Sequence, residues 1–340
     1  MSSFPWLDRA FRPYGSGLRS SFGVRVGGCL FLLLALGAPM EAQLSYTRGQ
    51  TVSPAFEGWE ANEDGTFSLL FGYMNRNWEE ELDVPVGAEN YFSPGPQDRG
   101  QPTHFLPRRN RFTFKVVVPA DFGDQELVWA VTTQGETEYA YASLRPDYLI
   151  DNVVIQSETG ALGAGTSSPE VRANLPPGIV LEGEPVRRAV VGQPVRLVAQ
   201  VSDDGIPRVR QATFTEELQA EREAQGLFLT DAASRARLLR PPTRITVNKN
   251  LGLHFAWFVY RGEGAVDFSP IQVKTWEDTR AGSNSPWAPL WTAPPLPEDG
   301  RWVADVTFQE PGRYVLQGRA DDGGLYSDVQ VVIEVAPLLP

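Results

Sequence analysis

After residue 42 the apolar runs of this chain are short, rich in β-branched and aromatic residues, and closed by turn residues, with 32 Gly and 28 Pro along its 340 positions. Such punctuation leaves no room for long amphipathic helices and reads as an all-β fold. Thr66–Tyr73 alternates as a strand after the turn Asn62-Glu63-Asp64-Gly65. Phe112–Val118 is a second strand, and Leu127–Val131 with Glu138–Ala142 forms a hairpin around Gln134-Gly135. Val191–Val201, Leu253–Tyr260, Trp302–Phe308, Tyr314–Ala320 and Val329–Val335 continue the pattern. About 300 residues are enough for two separate cores.

The spacing predicts two β-sandwich domains in tandem, residues 43–154 and 187–337, joined by a Gly/Ser/Pro-rich linker at 155–186. Residues of about 214–240 break the β pattern: Thr215–Ala224 has an acidic first turn and reads as a helical insertion in the second sandwich. Residues 84–110 form a long Pro/Gly-rich stretch with little regular pattern, and ordered loops of that length are often functional.

Residues 1–42 carry a hydrophobic helix, Val26–Ala38, preceded by Arg9, Arg12, Arg19 and Arg25 against the single acid Asp8. The charge bias keeps the first residues cytoplasmic and delivers everything after about residue 42 across the membrane. Two readings stand. The segment is a cleaved signal peptide, with only a fair cleavage site at Met40-Glu41-Ala42, or it is an N-in anchor. As an anchor it would hold Leu30, Phe31, Leu32, Leu33 and Leu34 in lipid while Arg25 snorkels to the cytoplasmic face. The expected location is periplasmic or extracytoplasmic, free or tethered to the inner membrane.

Cys29, the only cysteine, lies inside that segment, so the exported part has no disulfide, thiol nucleophile or cysteine ligand. Four arginines and two acids in the first 42 residues leave 26 basic and 40 acidic residues after them, a net charge of −14. That excludes nucleic acid as a natural partner.

The last strands resemble an immunoglobulin-like or PKD-like sandwich. Glu310-Pro311-Gly312-Arg313-Tyr314 is similar to the corner before strand F, with Tyr314 in the tyrosine-corner position. Trp257 matches the buried tryptophan of strand C, and Leu197 and Leu316 stand where antibody domains carry cysteines. Through Gly72–Trp78, Gly100–Arg109 and Ser285-Pro286-Trp287 the exported part resembles a group of exported bacterial proteins. Periplasmic accessory subunits of bacterial photosynthetic reaction-centre–antenna complexes can share this build. That resemblance implies a structural role beside a membrane complex.

Motifs for catalysis are missing: two histidines, His104 and His254, stand 150 positions apart, with no metalloprotease, nucleophile-elbow or phosphate-loop pattern. No catalytic residue and no cofactor is expected. The acidic and aromatic run Asn75–Asp83, with its acids at Glu79–Asp83, and the basic run Leu106–Phe112, with Arg108, Arg109 and Arg111, flank the long loop. They read as a salt-bridged clasp, or as a partner surface in which Trp78, His104, Arg108 and Arg109 take part. Trp276, Trp287 and Trp291 lie in one proline-rich loop that either packs on the sandwich or docks a partner. Asp203, Asp204, Asp321 and Asp322 fall in two Asp-Gly turns that an immunoglobulin-like fold places at one end, where Ca²⁺ could bind.

The leading expectation is a non-catalytic binding or scaffolding subunit with protein partners, holding or bridging components of a membrane complex. The alternatives are a secreted carbohydrate- or surface-binding sandwich, and a hydrolase using carboxylates of the Glu79–Asp83 run.

Overall fold

A computed structural model of the chain describes residues 47–159, 168–208, 252–274 and 296–338. The hydrophobic segment with Arg25 and Leu30–Leu34, the expected insertion at 214–240 and the Trp276, Trp287 and Trp291 loop lie outside them. No helix among the described residues is long and apolar enough to cross a membrane.

The first sandwich uses β1 (Val52–Ala61), β2 (Phe67–Asn75), β3 (Leu82–Asp83), β4 (Asn90–Ser93), β5 (His104–Phe105), β6 (Arg108–Val118), β7 (Leu127–Thr133) and β8 (Glu136–Ala142). One sheet runs β1-β2-β6 and the other β4-β7-β8, with β3 and β5 paired beside them. These orders correspond to the A-B-E and C-F-G groupings of immunoglobulin-like sandwiches. Gln134 and Gly135 both have positive φ, as a two-residue β7–β8 hairpin requires. The core is aromatic. Phe71 stacks on Phe114 at 5.4 Å, and Trp129 meets Phe114 edge-on at 5.0 Å. The Trp129 indole N–H donates to Asn90 Oδ1 at 2.9 Å, which satisfies the one polar atom that this buried ring carries.

The stretch expected to be patternless, 84–110, contains β4, β5 and the start of β6. The expected linker is likewise structured at both ends. A 3₁₀ turn (Pro146–Tyr148) and α1 (Asn152–Thr159) precede α2 (Pro169–Arg172), and β9 (Gly178–Leu181) already belongs to the second sandwich. Ile150 and Ile155 join Leu70, Phe112 and Leu325 in a small core on the outer side of the β1-β2-β6 sheet.

The second sandwich continues with β10 (Val186–Val190), β11 (Val195–Ser202), β12 (His254–Arg261), β13 (Val266–Ser269), β14 (Arg301–Phe308), β15 (Gly312–Asp321) and β16 (Tyr326–Ala336). The sheets β9-β11-β14-β13 and β10-β16-β15-β12 reproduce the A-B-E-D and C-F-G orders, with β10 added parallel to β16. Tyr314 O–H reaches the Glu310 and Glu263 carbonyls at 3.0 and 2.5 Å, which is the tyrosine corner. Leu197, Leu316 and Trp257 are buried in the shared core, so apolar packing stands where antibody domains have a disulfide.

Strands β12 and β15 lose the usual alternation and are buried almost throughout. One set of side chains, including Trp257, Val259, Tyr314 and Leu316, fills the second sandwich's own core. The other set, including Phe258, Tyr260 and Val315, belongs to the core of the first sandwich. A strand buried on both faces has no polar face to show. From Tyr46 onward the chain forms one compact unit.

Candidate functional site at the junction of the two sandwiches

The long loop between β4 and β5 reaches across to β12. Tyr260 O–H donates to the Gly100 carbonyl at 2.5 Å, and Thr103 N–H donates to the Tyr260 carbonyl at 3.0 Å. Arg261 holds Asp98 through two N–H···O bonds of 2.7 and 3.1 Å and the Gln101 carbonyl through a third of 2.7 Å. Within the loop Asn90 Nδ2 donates to the Val84 and Pro102 carbonyls at 2.9 and 2.8 Å. A Pro/Gly-rich segment cannot form a ladder of its own, so side-chain amides and a neighbouring strand satisfy its backbone.

At the end of this loop, Asp83 and His104 are cross-strand partners in the β3–β5 pair. His104 Nδ1 donates to Asp83 Oδ1 at 2.7 Å and Nε2 donates to Glu81 Oε2 at 3.0 Å. Burial alone would push the imidazole down. The hydrogen bonds and charges of the two carboxylates outweigh it and raise the pKa to about 9. With both ring nitrogens occupied and the ring charged at neutral pH, His104 is placed as a brace rather than as a base.

His104 and Glu81 line a cavity of about 300 Å³ with Leu106, Trp257, Gln272 and Lys274. The Lys274 ammonium is buried and donates to the Pro107 and Arg109 carbonyls at 2.7 and 3.2 Å. Across the junction Arg319 pairs with Asp328 through two bonds of 2.7 Å. It also donates to the Phe112 carbonyl at 2.7 Å and lies over the Tyr326 ring at 4.2 Å. Tyr326 stacks on Phe112, which closes a ring of contacts from both domains. Beside it a groove of about 630 Å³ is lined by Lys115, Gln317, Asp328 and Gln330.

The acidic and aromatic run and the basic run meet through Arg108, which faces Trp78 and donates to the Arg76 carbonyl at 3.5 Å. His104, not an arginine, takes Glu81 and Asp83. Arg109 pairs instead with Glu57 at 2.7 Å, and burial raises the Glu57 carboxyl in spite of that partner. Gly72 makes this possible, because a Cβ there would meet Glu57 Oε1 and the Asn110 carbonyl well inside contact distance. Arg108 lies over the Trp78 ring at 5.1 Å. Glu80, one of the acids considered for hydrolysis, accepts the Gly49 N–H at 2.6 Å.

The two Asp-Gly turns do approach one segment. Asn174 Nδ2 donates to Asp322 Oδ2 at 3.1 Å, and Leu175 N–H donates to Asp204 Oδ2 at 3.1 Å. One oxygen of each aspartate is turned inward on its own backbone. Gly205 N–H reaches Asp203, Ile206 N–H reaches Asp204, Gly323 N–H reaches Asp321, and Gly324 and Leu325 N–H reach Asp322. Among the described residues no group of three or more His, Cys, Asp or Glu side chains is placed to hold a metal ion. Sequence reasoning missed Arg261, Lys274 and Arg319, the three cations that join the domains. Each stands in or beside an apolar strand, and that isolation was the available signal.

No family model matches the chain, and no curated protein does. Among solved structures it is similar to the Yersinia pseudotuberculosis adhesin InvE, at 12% identity over 84% of this chain and 59% of that one, with a TM-score of 0.19. Surface-layer protein SbsC, domains 1–6, matches at 9% identity over 86% of this chain and 28% of that one, TM-score 0.21. Titin domains z1z2, solved in complex with telethonin, match at 10% identity over 85% and 100%, TM-score 0.21. The chain therefore spans 59% and 28% of the first two. Scores of this size lend no weight to a functional reading. The immunoglobulin-like class rests on the strand orders and the tyrosine corner, and both sandwiches belong to it.

Proposed function

We propose that this chain is an extracytoplasmic, non-catalytic binding or scaffolding protein whose two immunoglobulin-like domains act as one body. The observation that carries the reading is the junction. The β4–β5 loop, Arg261, Lys274 and Arg319 bind one domain to the other where tandem sandwiches usually have a hinge. Two domains joined in this way present surfaces at fixed spacing, which suits a spacer or subunit more than a flexible tether. In its finer form the protein stands beside a membrane complex, held there by the N-terminal segment. None of the comparisons supports the photosynthetic version of that form.

Membrane fractionation of the native source, followed by N-terminal analysis and gentle detergent purification, tests the proposal. Recovery of an intact N-terminus together with stoichiometric integral membrane proteins supports it. A soluble protein beginning near Gln43 with no stoichiometric companion overturns the tethered form.

A further inference from the structure

The β4-β7-β8 sheet has one face on the core and one face to solvent, and the solvent face has an unusual make-up. The registers place Tyr91, Ala130 and Tyr139 side by side in one row. Ser93, Val128 and Tyr141 form the outward row on one side of it, and Thr132 and Thr137 the outward row on the other, their hydroxyls bonded at 2.8 Å. Tyr139 and Tyr141 are 48% and 56% exposed, whereas Ala130 between them and Tyr91 is 1% exposed. The small residue is covered, and the exposed aromatic surface is that of Tyr139 and Tyr141 on β8, with Tyr91 half-buried on the other side. The rings of Tyr139 and Tyr141 are 6.2 Å apart and inclined by 36°. None of these paired outward positions is charged, in a chain of net charge −12, and the nearest acids in the chain are exposed Glu89, whose carbonyl takes the Thr132 N–H, and exposed Glu126 just before β7.

We infer that this face is a binding site for a neutral glycan chain, whose sugar rings lie on Tyr139, Tyr141 and Tyr91. The inference goes beyond the scaffolding reading and does not depend on it. Three features favour that occupant. Exposed phenol rings supply flat apolar area at little entropic cost, with a hydroxyl at the edge to meet another hydroxyl. The lack of charge within the face matches an uncharged polyhydroxylated ligand, and the acids Glu89 and Glu126 at its ends disfavour an acidic one. The size also fits. Three strands about 4.8 Å apart and four to seven residues long cover roughly 200–350 Å². A stable protein interface needs about 800 Å² per partner, so a second copy or a globular partner would find too little here. An extended oligosaccharide would not.

The site differs from the surfaces expected at Trp78 and His104, and the two are separable by mutation. Isothermal titration of the full chain with cellohexaose, xylohexaose and chitohexaose tests the inference, with polygalacturonate as a charged control. At least one neutral hexasaccharide should bind, polygalacturonate should not, and Tyr139→Ala with Tyr141→Ala should weaken binding about tenfold or more. Both tyrosines are exposed, so circular dichroism and the melting temperature of the double variant should match the parent. Binding to none of the three overturns the inference. So does binding that survives the double substitution, or that is lost only with Trp78→Ala. Sedimentation showing a dimer that the double substitution dissolves would assign the face to a second copy and overturn it as well. None of these outcomes bears on co-purification with a membrane complex.

Discussion

Arg261 and Asp98, 163 positions apart in the chain, meet in a two-pronged ion pair, and Arg261 extends its third donor to the Gln101 carbonyl. One strand of the second sandwich thereby holds a loop of the first. The Asp98 side chain is 54% exposed, so the ion pair by itself contributes little. The carbonyl bond matters more, because the loop has no ladder to satisfy it. Arg261→Ala should cost about 1–2 kcal/mol and open the 94–103 loop to protease, whereas Asp98→Asn should cost under about 1 kcal/mol. Urea unfolding and limited proteolysis of both variants check this. Equal effects would show that the ion pair, and not the loop contact, is what matters.

His104 sets a pH dependence of definite sign. Its folded pKa, about 9, lies above the unfolded value of roughly 6.5. The stabilisation is therefore complete below about pH 6.5 and is lost as pH rises through 9. Glu81 and Asp83 are themselves 47% and 36% exposed, so the full shift is not available as stability, and about 1–2 kcal/mol is expected. Between pH 6.5 and 9 the protein should lose this amount, and His104→Gln should flatten that part of the curve. A parent curve already flat over this range would contradict the assignment of His104 as a charged brace.

Asp322 produces a slope of the same sign at lower pH. Burial raises its carboxyl and the Asp321 charge adds to this, while the Gly324, Leu325 and Asn174 donors only partly offset the shift; the result is about 7. The folded state keeps a proton that the unfolded chain releases near pH 4, so stability falls as pH rises from about 4 to about 7. Asn174 Oδ1 is buried without a partner next to this carboxyl. An amide at 322 would keep an acceptor for the turn, but its NH₂ would stand where Oδ2 now accepts the Asn174 Nδ2 donor, so that bond would be lost. Asp322→Asn should therefore remove the slope, while the relief of the buried charge at pH 8 and the lost Asn174 bond offset each other to within about 1 kcal/mol. Millimolar CaCl₂ should leave the melting temperature unchanged at pH 6, where this carboxyl holds a proton. A calcium-dependent rise abolished by Asp322→Asn would instead establish a metal site.

The sandwiches were legible wherever strands alternate. The β7–β8 hairpin, β11, β14 and β16 are near their expected positions, because one face of each meets a core and period two survives in the residues, whereas β12 and β15 were legible only as short apolar runs. Tyr314 and Trp257 were legible as well, since a tyrosine corner depends on local spacing. The 84–110 stretch was not. Its order comes from Asn90, Tyr260 and Arg261, and two of these lie about 160 positions away. The clasp was half legible: the acidic side was identified, but its cation is His104. The arginines that seemed to answer it are directed elsewhere by β6, which runs Arg109 toward Glu57. The tyrosine face escaped notice because Tyr139 and Tyr141 look like ordinary strand residues until β4 brings Tyr91 into the same row.

Arg319 is as deeply buried as Lys274, with a side chain 3% exposed, and it pairs with Asp328, whose side chain is 24% exposed. The Asp328 charge and hydrogen bonds raise the guanidinium pKa further above its ordinary value, against burial, so the arginine stays charged at every accessible pH. Removing Asp328 then strands a positive charge between two domains. Removing both partners strands no charge, although the Phe112 and Arg111 carbonyls lose a donor, and Tyr326 would still stack on Phe112. Asp328→Ala should thus cost about 3–4 kcal/mol, more than the double variant Arg319→Met, Asp328→Leu. The single variant should also split the thermal transition, because the Phe112 carbonyl that Arg319 holds belongs to the other sandwich. Calorimetry decides the matter. A double variant less stable than Asp328→Ala would mean that the ion pair itself, and not relief of a stranded charge, governs the junction.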